Sequence, residues 1–227
     1  MSLILNIETS TTLCSVSLAK CGKVVSFKET NEGYRHAENL HVFIEVVLVK
    51  GGVSIKDLNA VAVGSGPGSY TGLRIGVSAA KGLAYALHIP LIAVNTLQIM
   101  AAAVVHENQS DVLYCAMLDA RRMEVYTAIF DKDLNCKKET SAQIITEDDF
   151  SFFNLEKPIC FFGDGMPKCK NILKQIPQSA FIENVAPSAI TLAQLSYQKH
   201  LKSQFEDVAY FEPFYLKDFL INGGSGN

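Results

Sequence analysis

The sequence predicts an α/β fold built from two related lobes, and three observations support this prediction. Short apolar runs typical of strands alternate with segments whose apolar residues follow a helical period. An apolar run ending in an acid, a polar turn and a return strand occur at Ile7-Glu8 and recur at Leu118-Asp119. Hydrophobic residues make up 48% of the 227 residues, which is enough for a substantial core. A plan that repeats at half the chain length suggests two lobes of the same design.

The first half predicts five strands and three helices. Gly51-Gly52 ends the first helix, and the second helix is opened by Ser69 or Thr71 and stops before Pro90. In order, the strands and helices are strand 3–8, two strands within 9–30 that turn at Cys21-Gly22-Lys23, helix 35–50, strand 60–66, helix 69–88, strand 90–95 and a helix near 97–106.

The second half carries fewer clear signals. It predicts a strand ending at Asp119, a return strand over 123–130, a strand and turn within 158–168 and a helix over 187–199, followed by the segment "EPFYLKDF". We therefore expect an N-terminal lobe over 1–106, a smaller C-terminal lobe over 107–221 and a flexible tail over 222–227.

Composition excludes several classes of protein. A net charge of −3 and an isoelectric point near 6.0 argue against a broad nucleic-acid surface on this chain alone. No apolar run approaches the length of a membrane span, and the N-terminus lacks the basic region of a signal peptide. The six cysteines contain no C-x-x-C pair, so we expect reduced core thiols and a cytoplasmic protein.

The stretch "GSGPGSYTGLRIG" places five glycines between a buried strand and a helix. Such a loop can bind phosphate through its backbone N–H groups and the helix dipole. It matches neither the Walker A pattern nor G-x-G-x-x-G, so the favoured interpretation is a tight turn that packs the helix closely on the sheet. The residues of the alternative, an anion or nucleotide site, are Gly66, Gly68, Ser69, Tyr70 and Thr71.

The residues suggest no catalytic or metal site. Glu8 and Asp119 end strands as the magnesium-holding acids of an actin-type ATPase do, but such acids can also accept hydrogen bonds from their own turns. His36 and His41 are five residues apart, about 140° around a helix, so one metal ion would not reach both easily. No G-x-S-x-G elbow or triad order is present.

An arginine pair, Arg121-Arg122, follows Asp119 in the predicted turn of the second half. Two adjacent guanidinium groups could bind an anion. A solvated hairpin turn is the commoner role of such a pair, so we leave both interpretations open.

Two helices have more apolar surface than one sheet can cover. On helix 69–88, one apolar face suits the sheet, and a second face is made mostly of small residues. The helix over 35–50 likewise extends beyond one stripe. These faces could pack on each other within the chain or against a partner's helices. The residues predicted to form a partner or dimer interface are Leu40, Val42, Val46, Ile75, Ser78, Ala79, Gly82 and Ala86.

Five segments together resemble the TsaB (YeaZ) family over nearly the whole chain: "LNIETSTTLCSVSL", "GSGPGSYTGLRIGVSAAKGLA", "LDARRMEVYTAIF", "GDG" and "EPFYLKD". The resemblance implies an actin-like (ASKHA, ribonuclease H-like) two-lobed fold with mixed sheets flanked by helices. This chain departs from the family pattern at Glu8, where aspartate is expected, and at Lys217, where arginine is expected.

The resemblance also implies a function. TsaB-like proteins are non-catalytic partners of TsaD, which transfers a threonylcarbamoyl group to the adenosine beside the anticodon of tRNA, and the ATPase TsaE completes the assembly. We therefore expect a homodimer when the chain is alone, TsaD-like and TsaE-like partners, tRNA contact only through the complex, and no cofactor beyond weak nucleotide or anion binding. The alternatives are a glycoprotease-like peptidase, a small actin-like ATPase, or a stand-alone homodimer with another ligand.

Overall fold

A computed structural model describes residues 2–33, 35–108, 110–147, 150–153 and 157–216. In the N-terminal half the helices and strands are β1 Leu3–Glu8, β2 Cys14–Lys20, β3 Lys23–Thr30, α1 His36–Gly51, β4 Ala60–Gly66, α2 Tyr70–Leu87, β5 Leu91–Asn95 and α3 Thr96–Asn108. In the C-terminal half they are β6 Leu113–Asp119, β7 Glu124–Phe130, β8 Cys136–Ile144, β9 Ile159–Phe162, α4 Met166–Leu173, β10 Ser179–Ile182 and α5 Ala189–Leu201. Lys217 and the predicted tail lie outside the described residues.

The two halves form two sheets of the same design. The first sheet has the strand order β3-β2-β1-β4-β5, and the second has the corresponding order β8-β7-β6-β9-β10. In each sheet the first three strands along the chain form an antiparallel meander, and the last two run parallel to the first. This repeat is the actin-like two-lobed fold, so the predicted fold class is confirmed.

The layers of the molecule alternate between helices and sheets. Helices α1 and α2 cover the outer face of the first sheet. Helices α3 and α5 lie between the two sheets, with Ile99 and Leu192 packed on the first and Leu97 and Met100 facing the second. Helix α4 covers the outer face of the second sheet. Helix α5 belongs to the predicted C-terminal lobe by sequence but packs on the first sheet. The division of the chain into lobes at residue 106 therefore stays a prediction.

The residues after α5 return to the first lobe and run beside α2. The Glu206 N–H donates to the Leu91 carbonyl at 2.9 Å, which covers the open edge of β5. Lys81 on α2 donates to the carbonyl of Phe211 at 2.6 Å. The Phe214 N–H donates to Ser65 in the glycine loop at 2.7 Å. We call residues 202–216 the C-terminal segment. The sequence predicted no role for it.

Burial separates the cysteines into unreactive and reactive thiols. All six are free, and four are buried: Cys14, Cys115, Cys160 and Cys169. Desolvation raises the pKa of Cys115 to about 12. By contrast, a hydrogen bond involving the Ser2 backbone lowers the pKa of Cys21. The prediction of reduced core thiols holds for these four.

Alkylation of the native protein is therefore expected to be selective. Only a thiolate attacks iodoacetamide, and burial both disfavours the thiolate and blocks access. Peptide mass mapping after brief treatment at pH 8 should find Cys21 modified and the four buried thiols intact. The exposed Cys136 should be modified more slowly than Cys21, because partial burial raises the pKa of its thiol. Comparable labelling of Cys115 in protein that remains folded would contradict this assignment.

Candidate functional site

The glycine loop joins the end of β4 to the start of α2. Gly66 has a φ of +109°, a left-handed conformation that favours glycine, and the Gly66–Pro67 peptide bond is cis. The Ser69 side chain accepts the N–H of Gly72 at 3.3 Å, so the predicted cap begins α2. Among the other predicted loop residues, Tyr70 packs against Tyr215 of the C-terminal segment, with the ring centres 5.1 Å apart and the rings tilted by 39°, and Thr71 is exposed.

The turn that follows β1 packs directly into these glycines. The Ser69 N–H, one of the donors that a phosphate would use, donates to the Ser10 carbonyl at 2.7 Å. The Thr9 hydroxyl donates to the Gly72 carbonyl at 2.7 Å. A β-carbon on Gly68 would overlap the Ser10 carbonyl oxygen, and one on Gly72 would overlap that of Thr9. The lack of room for β-carbons at these glycines supports the packing interpretation of the loop.

The carboxyl group of Glu8 is sealed beneath the same loop. Its side chain is fully buried, and its Oε1 accepts the Ser10 N–H at 2.6 Å. Its Oε2 has no partner among the described residues and lies against Gly64, where a β-carbon would overlap it. Burial raises the pKa of Glu8 despite the opposing hydrogen bonds from Ser10. A carboxyl group in this position faces the chain's own backbone instead of an open cleft.

Glu8→Gln is expected to remove a pH dependence of stability. The unfolded pKa is near 4.5, and burial raises the folded pKa above it. At a pH between these two pKa values, Glu8 keeps its proton in the native state and has released it in the unfolded state. The free energy of unfolding therefore falls as pH rises, by up to about 1.4 kcal/mol per pH unit.

The glutamine side chain resembles the protonated carboxyl group, so the variant should lack this slope. Urea unfolding of both proteins at several pH values from 4.5 upward should give a stability difference that grows in favour of the variant. A difference independent of pH would show that Glu8 titrates normally.

Asp119 ends β6 at the position that corresponds to Glu8, but its environment is different. Its side chain is half exposed and forms an ion pair with Lys168 on α4. Its Oδ1 also accepts the Arg121 N–H at 2.9 Å, and its own N–H donates to Asp164 at 2.9 Å. Partial burial opposes ionisation, but the Lys168 hydrogen bond prevails and lowers the pKa of Asp119. This acid organises its own turn.

The two histidines of α1 are not brought together. His36 is buried, and its Nε2 lies 2.8 Å from the carbonyl oxygen of Thr11, to which it donates. Burial lowers the pKa of His36. His41 is exposed on another side of the helix. Within the described ranges, no three histidine, cysteine, aspartate or glutamate side chains are grouped so as to hold a metal ion.

An apolar strip is exposed along α1 and α2 on the outer layer of the first lobe. We call it the α1–α2 surface, and its residues are Val42, Val46, Val49, Ile75, Ser78, Ala79, Gly82, Tyr85 and Ala86. Val42 is 54% exposed, Val49 73% and Tyr85 74%. Ile75 and Ala79 also pack partly against the core. The sequence did not single out Tyr85.

One predicted interface residue does not belong to this surface. The Leu40 side chain is fully buried in the core beneath α1. Leu40 lies on the apolar stripe of α1, and this stripe faces the first sheet. Leu40 is therefore corrected from an interface residue to a core residue.

The shape of the α1–α2 surface suits a helix better than a small molecule. An open groove of about 400 Å³ adjoins this surface at Val49 and is lined by His41, Ile44, Glu45, Leu48 and Val49 of α1, Leu83 of α2, and Ile55 in the connection to β4. Small or absent side chains at Gly82 and Ala86 let another backbone approach closely.

Among the described residues, no helix is long and apolar enough to cross a bilayer.

Comparisons with known proteins agree on one family. A family model described as TsaD, tRNA N6-adenosine threonylcarbamoyltransferase, matches residues 32–221. The tRNA threonylcarbamoyladenosine biosynthesis protein TsaB of Bacillus subtilis is 31% identical over 94% of this chain and 93% of its own length. The protein of that name from Escherichia coli is 39% identical, but the match covers 58% of this chain and 56% of that protein. The chain thus spans about half the length of this second relative.

A solved structure extends the likeness to the fold. The structure described as YeaZ from Pseudomonas aeruginosa superposes with a TM-score of 0.82 at 27% sequence identity. The superposition covers 95% of this chain and 100% of that one. The arrangement of both lobes is therefore shared with this structure.

Proposed function

The chain belongs to the TsaB (YeaZ) family, and on this premise we propose that it is a scaffold subunit that binds a TsaD-like protein for threonylcarbamoyl transfer to tRNA. The family is generally a non-catalytic component of threonylcarbamoyladenosine biosynthesis. The acceptor in this proposal is the adenosine beside the anticodon, and the TsaD-like protein carries the chemistry. A TsaE-like ATPase completes the cytoplasmic complex.

The α1–α2 surface is the observation that carries this proposal. A contiguous patch of exposed apolar residues on a folded protein usually marks an interaction site. The exposed side chains of Val42 and Val49 could pack against a partner. At Gly82 and Ala86, the small side chains would let the partner's backbone approach α2 closely. Two antiparallel or crossing helices of a partner would bury this strip in a four-helix contact.

We expect the same surface to support a homodimer when no partner is present. A two-fold contact is self-complementary, so α1 and α2 of one copy would face the same helices of another. A TsaD-like protein of the same actin-like design would present an equivalent pair of helices. Homodimer and heterodimer would then exclude each other.

The glycine loop fits a structural role in this proposal. The Thr9-Ser10 turn occupies the loop's inner side, and Glu8 is buried beneath it. Nothing among the described residues favours the peptidase or ATPase alternative, because Glu8 faces backbone and Asp119 is paired with Lys168. The proposal places the catalytic residues in the TsaD-like partner and keeps weak nucleotide or anion binding at the loop as an alternative.

Co-purification with the TsaD-like protein of the same organism tests the proposal. The two proteins should elute together as a heterodimer. Sedimentation should show that the homodimer dissociates when the partner is added. Persistence of the homodimer beside unbound partner at micromolar concentrations would count against the proposed function.

A further inference from the structure

The turn between β6 and β7 holds two arginines in a conformation that suits glycine. Arg121 has a φ of +71° and Arg122 a φ of +49°, both in the left-handed region. This region is unfavourable for residues with a β-carbon, and asparagine or glycine usually occupies it. The needs of the turn therefore do not explain two long cationic side chains here. Such backbone outliers often mark a functional position.

The backbone of this turn is fixed from several directions. Asp119 accepts the Arg121 N–H at 2.9 Å, and the Arg121 carbonyl accepts the Glu124 N–H at 3.1 Å. Lys168 reaches from α4 to the Glu124 carbonyl at 2.7 Å. Asp164 holds the N–H of Asp119 at 2.9 Å. The turn is thus preorganised, and a ligand would not have to order it.

The guanidinium groups themselves are available. Both arginines are exposed, and neither guanidinium forms a hydrogen bond or an ion pair within the part of the chain that the structure describes. The charge of Arg121 contributes to lowering the pKa of Asp119, but this carboxylate forms its ion pair with Lys168. Arg74 provides a contrast, since its guanidinium lies over the Tyr70 ring at 4.9 Å.

We propose that Arg121 and Arg122 form a phosphate-binding turn that contacts the tRNA backbone in the assembled complex. The inference rests on the proposed function and adds a direct RNA contact to it. A guanidinium group binds phosphate through two parallel hydrogen bonds, and a rigid turn presents two such groups side by side. The net charge of −3 means that the chain alone attracts RNA weakly, so the contact adds to binding by the partner.

The turn and the proposed partner-binding surface lie on different sheets. Arg121 and Arg122 belong to the second sheet, whereas the α1–α2 surface is the outer layer of the first. Helices α3 and α5 separate the two sheets. Changes to the turn should therefore leave partner binding unaltered.

The test is a salt titration of tRNA binding by the complex of this chain with its TsaD-like partner. The double variant Arg121→Gln/Arg122→Gln should bind unmodified tRNA about tenfold more weakly or worse. The plot of log affinity against log salt should become shallower by roughly 0.7 to 0.9 for each phosphate group that the variant no longer neutralises. Lys132→Gln/Lys174→Gln is the matched control, because it removes the same charge from exposed positions elsewhere on the second lobe.

A second variant separates binding from folding. Arg121→Gly/Arg122→Gly should be at least as stable as the wild type, because glycine suits both backbone conformations, and its tRNA affinity should fall by the same factor. Equal affinity and slope for wild type and arginine variants would overturn the inference. Failure of the arginine variants to bind a protein partner, with tRNA binding unchanged, would assign the turn to a protein interface and would overturn it as well.

The titration is also run on the isolated chain, so that failure of the proposed function can be distinguished from failure of this inference. If no complex assembles, the proposed function fails, but the inference still requires a weak tRNA affinity that the arginine variants reduce. Absence of tRNA binding by wild-type chain in both settings overturns the inference.

Discussion

Gly72→Ala is expected to destabilise the protein by about 3 kcal/mol, because the new methyl group would overlap the Thr9 carbonyl oxygen. Gly72 lies in the first turn of α2, and its own carbonyl accepts the Thr9 hydroxyl at 2.7 Å. The β-carbon of the variant would therefore push apart two backbone segments that hydrogen bonds hold together. The affected packing joins the start of α2 to the turn after β1.

Gly82→Ala in the same helix is the matched control. A β-carbon at Gly82 would meet nothing within 4 Å, and the position is exposed. Alanine loses less backbone entropy than glycine on folding, so this variant should gain roughly 0.5–1 kcal/mol. Urea unfolding should be measured at a dilution where the chain is monomeric. Equal stability of the two variants would contradict the close packing of the glycine loop.

Gly82→Arg is expected to give a folded monomer that no longer binds its partner. Open space around Gly82 accommodates the side chain in the monomer, and arginine favours a helix more than glycine does. In the proposed contact, however, the partner's backbone would approach this position and desolvate the guanidinium group. An unpaired buried charge of this kind should weaken both homodimer and heterodimer by about 100-fold or more.

Gln198→Arg provides the control for added charge. Gln198 is exposed on α5, away from the α1–α2 surface, so this variant should dimerise and bind the TsaD-like partner normally. Sedimentation and partner titration of both variants make the comparison. Unchanged association of Gly82→Arg would place the interface elsewhere on the molecule.

The strongest local patterns in the sequence were enough to predict the fold class and most of the first lobe. Apolar runs bounded by an acid, a glycine or a proline gave β1, β4 and β5 within about a residue, and Ser69 was correctly predicted as a possible cap of α2. The stretch "GSGPGSYTGLRIG" was interpreted as a tight, closely packed turn, and the crowding at Gly68 and Gly72 agrees with that interpretation. These signals are local, so tertiary contacts did not alter them.

The elements that the sequence missed depend on long-range contacts. Strand β8 has mostly polar or half-exposed residues and is defined by its pairing with β7 at the sheet edge. Helix α4 has only 8 residues with a proline in its first turn, and β10 has 4. Period and composition give little signal over such lengths.

The candidate site was predictable only in part for the same reason. The pattern identified Gly82 and Ala86 as members of a second helical face, and both are exposed. Both Leu40, which faces the core, and Val42, which faces outward, were predicted as interface residues, because the apolar surface of α1 extends beyond one stripe. The burial of Glu8 depends on Gly64, 56 residues further along the chain, and only the folded structure brings the two together.

The most direct test of the account is threonylcarbamoyl transfer to unmodified tRNA by the TsaD-like partner and the TsaE-like ATPase, with and without this chain. The account predicts that modification requires the wild-type chain and is lost with Gly82→Arg, whereas Glu8→Gln supports normal modification. Full modification without the chain, or modification by Gly82→Arg at the wild-type rate, would contradict it.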